Sequence, residues 1–477
     1  MKRVSGVDAA FLYGETPAWH MHVSAVMVAD PTDEASSTVE AFSVDRLRRQ
    51  VEERLHLVPQ FRWRLVEVPF GLDRPRFVED PDFDLDNHIR RIGVPPPGGP
   101  EQVGNLIGDL VSIKLDRRKP LWEFWVIEGL EGGKVAILAK IHHSIIDGVS
   151  GSELATVIMD LESDPPPVPP PDEPRKVEPL PNAFELLLHG IGHTVSTPVR
   201  AARFVRGSVR QGLALVGFQR RPAPPPIPFQ APRTSFNTEL TPHRRFAYAS
   251  VPLAEVRAVK AAFGVKVNDV VLAVCSGALR RYLEDRDDLP DSPLIAQVPV
   301  SLRADDEKGD VGTKVGAMFA SLATHLPHPV ERLRAIHEST QGAKEMQKAL
   351  AAEKLMGISE AAPPALISLA ARMYTAAGLD TRTPPIMNLI ISNVPGPSFP
   401  IFCAGARVES LYPMGPLLYG TGVNITVFSY EGTIDFGFMV CRDVVDEPWD
   451  LAQGVQEAFA ELVAAAELES LVADGEA

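Results

Sequence analysis

Only three cysteines, Cys275, Cys403 and Cys441, occur in 477 residues. They are far apart and form no CxxC pair, which argues against a disulfide framework or a zinc site and fits a reducing compartment. No run of 18 apolar residues is present, so no membrane-spanning helix is expected. Basic charge is in short supply: 47 Lys and Arg stand against 62 Asp and Glu, a formal charge of −15. That balance disfavours non-specific binding to nucleic acid. The N-terminus lacks the uninterrupted apolar stretch of a signal peptide, because Asp8 and Glu15 break it. A cytoplasmic protein is therefore expected, with peripheral contact to a membrane surface left open.

What the chain does have is apolar residues and proline. At 45% hydrophobic it can bury a large core, and its length suggests two or more domains. Proline is clustered. "DPPPVPPPDEP" (Asp164 to Pro174) and "RPAPPPIPFQAP" (Arg221 to Pro232) read as stiff extended connectors. They divide the chain into an N-terminal part, 1–163, a middle segment, 164–232, and a C-terminal part, 233–477. Within the middle segment, residues 183–221 carry Arg200, Arg203, Arg206, Arg210, Arg220 and Arg221 against Glu185 alone. This stretch reads either as a basic amphipathic helix on an anionic membrane or as a helical connector with its arginines in water.

Both flanking parts mix strand and helix patterns. Val44, Leu47, Val51 and Leu55 recur at helical spacing, whereas Leu121–Leu130 and Lys134–Ile141 read as central strands joined by a glycine turn. Further on, Pro252–Gly264 and Asn268–Glu284 read as helices, and Pro293–Arg303 as a strand. Pro384–Pro397 reads as another strand, and Gly422–Asp443 as a hairpin turning at Glu431-Gly432. Hairpins without strict β-α alternation predict two α/β layered domains with mixed sheets.

The second of the N-terminal strands runs into "KIHHSIIDGVSG" (Lys140 to Gly151). A strand end fixes the backbone while the following turn projects side chains into a cleft. His142 and His143 are followed four residues later by Asp147, then by Gly148, which suits a tight backbone. A catalytic triad lacks its nucleophile, since "GVSGS" is not the G-x-S-x-G elbow. A metal site lacks a third ligand, and nothing like H-E-x-x-H occurs. Two readings remain: a histidine base that activates a bound hydroxyl, with Asp147 as brace, or a pair of structural histidines.

The pattern His142-His143-Ser144-Ile145-Ile146-Asp147-Gly148 matches the HHxxxDG motif of CoA-dependent acyltransferases and peptide-synthetase condensation domains. Within that superfamily the chain resembles the bacterial wax ester synthase/diacylglycerol acyltransferases. "LDRRKPLWE" (Leu115 to Glu123), "VNDVVLA" (Val267 to Ala273), "VPVSLR" (Val298 to Arg303), "SNVPGP" (Ser392 to Pro397) and "GVNITVFSY" (Gly422 to Tyr430) carry the likeness, in order, along the chain. The resemblance implies two chloramphenicol-acetyltransferase-like domains with a tunnel between them, the N-terminal one carrying the motif. It implies that acyl-CoA is a substrate and that no cofactor is needed. The acceptor would be diacylglycerol or a fatty alcohol, met at a membrane or lipid-droplet surface. His143 would be the general base, Asp147 a brace paired with Arg303, and His142 and Gly148 support for the loop. Asn268, beside Asp269, reads either as an oxyanion donor or as a helix N-cap. Trp122 reads either as tunnel lining or as core.

Overall fold

The structure, a computed structural model, describes residues 1–69, 73–146, 157–171, 180–182, 185–186, 225–301, 315–352 and 383–475. Two six-stranded sheets organise it. The N-terminal part supplies β1 (Lys2–Arg3), α1 (Gly6–Gly14), β2 (His22–Asp30), α2 (Val44–Arg54), β3 (Trp63–Val66), β4 (Arg76–Glu79), β5 (Ile89–Gly93), α3 (Pro100–Val111), β6 (Trp122–Glu128), β7 (Val135–His142) and the short α4 (His143–Ile146). The C-terminal part supplies β8 (Arg244–Pro252), α5 (Leu253–Phe263), α6 (Val267–Glu284), β9 (Ile295–Ser301), β10 (Val315–Ser321), α7 (Pro329–Ala352), β11 (Leu389–Pro395), β12 (Phe402–Cys403), β13 (Ala406–Met414), β14 (Val423–Tyr430), β15 (Thr433–Cys441) and α8 (Pro448–Gly475).

Local chemistry explains many of these boundaries. The Ser43 hydroxyl accepts from the Arg46 N–H and starts α2. Gly264, at φ +64°, stops α5. Gly132 and Gly133, both at φ +74°, shape the connection between β6 and β7, and Glu431 and Gly432 turn the β14–β15 hairpin with positive φ. Every residue of β7 is buried, so both faces of this strand are covered, as its nearly unbroken apolar sequence requires.

The first sheet runs β12-β13-β2-β7-β6-β5, and the second runs β10-β9-β11-β14-β15-β8. Both are mixed. β5 pairs in parallel with β6, and β11 in parallel with β9 and β14, while the other pairs are antiparallel. β12 and β13 come from the C-terminal part but complete the N-terminal sheet, so a C-terminal domain of 233–477 does not keep to its own sheet. β13 pairs with β2 from Arg407 opposite Asp30 to Met414 opposite Ser24. Without it, β2 would present an unpaired edge. β13 is also bonded to the second sheet: the Leu411 N–H donates to the buried Asp435 carboxylate at 3.1 Å, and Arg407 reaches Glu431 at 2.8 Å.

The two sheets pass close together at Gly437 on β15. A Cβ there would sit 2.1 Å from the Pro413 carbonyl oxygen. Gly437→Ala is expected to destabilise the protein by about 1–3 kcal/mol through overpacking, read as a lower urea midpoint with an unchanged slope.

Candidate active site

The backbone of the histidine pair is pinned on both sides. The His142 N–H donates to the Leu121 carbonyl at 2.9 Å, and the His143 N–H donates to the Met21 carbonyl at 2.8 Å. His142 is buried, whereas His143 is half-buried at the first position of α4. The His143 ring lies against the Phe11 ring, with centroids 4.3 Å apart and planes tilted by 42°. Phe11 and Asp8 are one turn apart on α1, which packs on α4. Burial lowers the His143 pKa from its ordinary value, and the Asp8 charge opposes that shift. The imidazole is therefore neutral near pH 7, and Asp8 favours the cation once a proton arrives. A cavity of about 190 Å³ opens beside α1 and α4, lined in part by Asp8, Trp63, Phe77, Ser144 and Ile145.

His142 turns the other way. Its Nδ1 lies 3.2 Å from the Ser144 backbone N–H and 2.7 Å from Ser144 Oγ. Its Nε2 faces Glu15 Oε1 at 3.8 Å. Burial, partly opposed by Glu15, pulls the His142 pKa down to about 4. Burial alone would raise the Glu15 pKa, but His142, Lys114 and Arg117 more than offset it, so the carboxyl is held below its usual value. His20 and His22 are likewise lowered, chiefly by burial. Because these histidines are buried neutral, the unfolded chain takes up protons first as pH falls through 6.5, the ordinary histidine value. Stability is therefore expected to drop progressively below that pH, for His142 down to about 4, and urea midpoints measured across the range check this.

The other motif residues fall elsewhere. Trp122 is fully buried in the core. Its indole N–H donates to the Phe61 carbonyl at 2.8 Å, and its ring stacks on Phe61 and His88 at 4.6 and 4.4 Å. These contacts are those of core packing, and they place Trp122 in the apolar cluster beneath the first sheet. The N-cap reading of Asn268 fails. Helix α6 starts at Val267 with Lys266 as N-cap, and the buried Asp269 carboxylate accepts the Lys266 N–H at 3.0 Å. Asp269 is further tied to His337 at 2.6 Å and Thr340 at 2.8 Å. Asn268 instead receives a hydrogen bond from Asn393 of the SNVPGP segment at 3.2 Å. Among the described residues, no hydrogen bond joins Asn268 to the histidine pair. At the junction of the sheets, a small space of about 10 Å³ is open between His22, Ser24, Arg244, Met414 and Met439.

Residues 4–271 match the model of the wax ester synthase/diacylglycerol acyltransferase catalytic domain, and residues 311–463 match that of the WS/DGAT C-terminal domain. The chain belongs to this family. Among its relatives are two proteins of Mycobacterium tuberculosis strain H37Rv with an assigned diacylglycerol O-acyltransferase name. One is 34% identical over 465 residues, covering 97% of this chain and 90% of its own. The other is 36% identical over 474 residues, covering 96% and 99%. The wax ester synthase/diacylglycerol acyltransferase of Marinobacter aquaeolei VT8 superposes with a TM-score of 0.70 at 29% identity, covering 98% of this chain and 100% of that one. The starter condensation domain of rhizomide synthetase, solved with C8-CoA and Leu-SNAC, shares the fold at 11% identity, with a TM-score of 0.53 and coverage of 98% and 94%. The family makes the chain an acyl-CoA-dependent acyltransferase with a two-domain α/β fold of mixed sheets.

Of the wax ester synthase/diacylglycerol acyltransferase motifs, Asp147, Gly148 and Arg303 lie outside the described residues, as does all of the basic 183–221 stretch except Glu185 and Leu186. The proposed Asp147–Arg303 brace is therefore not described. Sequence reading missed three residues that surround the histidines: Asp8, Phe11 and Glu15. One local signal was present, because Ser5-x-x-Asp8 is a helix-start pattern, and the Ser5 hydroxyl indeed accepts from the Asp8 N–H.

Proposed function

We propose that the protein transfers a long acyl chain from CoA to the free hydroxyl of diacylglycerol, giving triacylglycerol, with His143 as general base. The observation that carries this reading is the His143 side chain at the end of β7, half-buried, neutral by desolvation and backed by Phe11 and the Asp8 charge. The acceptor hydroxyl gives its proton to the imidazole as its oxygen attacks the thioester carbonyl. The tetrahedral intermediate collapses, the C–S bond breaks, and the imidazolium returns the proton to the departing thiolate. Ester and CoA thiol are the products, and the enzyme is unchanged. Because the thioester is already activated, the protein supplies mainly positioning and this proton shuttle. The family name favours a second acceptor class, long-chain alcohols giving wax esters. The basic 183–221 segment supports work at a membrane or lipid-droplet surface.

Purified enzyme with labelled palmitoyl-CoA is expected to form triacylglycerol from diolein, and wax ester from hexadecanol at a rate set by acceptor fit. No ester above background with either acceptor would refute the proposal. In the same assay, the acid limb of kcat/KM is expected to fall below 6.5, the ordinary histidine value, because burial lowers His143.

A further inference from the structure

We infer that Glu15 is a positioning residue for His143, acting through two separate arms that meet the backbone on either side of that residue. The inference rests on the reading of His143 as base.

Glu15 is the C-cap of α1, and its side chain is 2% exposed. Its Oε2 is held by Arg117 at 2.8 Å and Lys114 at 3.2 Å, two cations from the segment that leads into β6. The carboxylate is thus a fixed anion with two compensating charges, the condition under which a buried carboxylate persists. Its Oε1 faces the histidine motif. There the first arm begins: the Met21 N–H donates to Oε1 at 3.3 Å, and the carbonyl of the same residue accepts the His143 N–H at 2.8 Å. Glu15 thereby restrains the Met21 backbone on one side of its Cα, and the carbonyl on the other side holds the start of α4.

The second arm runs through His142. A backbone N–H can only donate, so the contact between the Ser144 N–H and His142 Nδ1 makes Nδ1 an acceptor. In the neutral ring the proton then sits on Nε2, the nitrogen that faces Glu15 Oε1 at 3.8 Å. The carboxylate selects this tautomer because it favours a positive edge toward itself. The same tautomer leaves Nδ1 free to hold the N–H of Ser144, the residue immediately after His143. Glu15 thus governs the N–H of His143 through Met21 and the N–H of Ser144 through His142, without touching the imidazole that takes the proton.

The test is the near-isosteric Glu15→Gln variant, assayed with palmitoyl-CoA and the acceptor that the wild type uses. Misplacing a catalytic group by about 1 Å costs on the order of 100-fold, so kcat is expected to fall by roughly 10- to 100-fold, with both KM values little changed. His142→Asn keeps an acceptor near the Ser144 N–H but does not extend to Glu15, and it is expected to lose kcat in the same way. Since both changes break one arm, the double variant is expected to lose less than the product of the two single losses. Wild-type kcat in folded Glu15→Gln, a rise in KM alone, or fully multiplicative losses in the cycle would overturn the inference. If Glu15→Gln does not fold, His142→Asn decides alone, and unchanged kcat there overturns the second arm. These outcomes are distinct from failure of the base reading, which is an active His143→Ala enzyme.

Discussion

Replacing His143 with alanine is expected to lower kcat by about 10²–10⁴-fold, the range that a single acid–base group supplies. The loss should fall on kcat more than on KM, because the imidazole acts on the proton that moves in the transition state. Some turnover above the uncatalysed reaction should survive, since bringing thioester and hydroxyl together does not depend on this ring. The melting temperature should change little, because His143 is only half-buried and its backbone is pinned independently of its side chain. Steady-state kinetics alongside a thermal melt separates the two effects. A folded His143→Ala protein with wild-type kcat would end the base mechanism.

How far this site could be read from the sequence depends on distance along the chain. The histidine pair sits in one short segment, so the apolar strand before it was legible from residue type alone, whereas the expected turn gives way to α4 and, from Asp147 on, lies outside the described residues. The supports of the pair were not legible. Asp8 and Glu15 lie more than a hundred positions upstream, and in the sequence they registered only as charges that break an apolar stretch. Their meaning appears once β2 pairs with β7 and sets His22 opposite His142, which brings α1 onto the motif. The same contrast runs through the fold. The glycines at 132, 133, 264 and 432 announced their turns, because positive φ is a local demand. The membership of β13 in the N-terminal sheet was invisible, because strand pairing between distant segments leaves no local mark. Asn268 and Asp269 show how one motif can be half read. The start of α6 was placed well, but the capping carboxylate is Asp269, and Asn268 is turned toward Asn393.

Trp122→Ala should give the largest loss of stability, about 3–5 kcal/mol, as expected for truncating a fully buried aromatic. Three contacts are lost together: the hydrogen bond to the Phe61 carbonyl and the stacking on Phe61 and on His88. The Phe61 carbonyl is also left without its donor, which adds a desolvation cost. Urea or thermal unfolding measures the effect. Kinetics on the remaining folded protein then separates two roles. Core packing predicts a KM for palmitoyl-CoA close to wild type, whereas a residue touching the acyl chain would raise it. Trp122→Phe, which keeps part of the stack and loses the N–H, should fall between alanine and wild type in stability.

The strand that crosses from the second half of the chain into the first sheet also dictates an order of events during synthesis. The edge of β2 has to wait for β13, which leaves the ribosome only after nearly nine-tenths of the polypeptide has been made. Until then the N-terminal part carries its histidine motif on an unfinished sheet with an open, adhesive border. A split version of the enzyme, cut in the proline-rich connectors and expressed as two pieces, would need the second piece present while the first is folding, not merely mixed in afterwards.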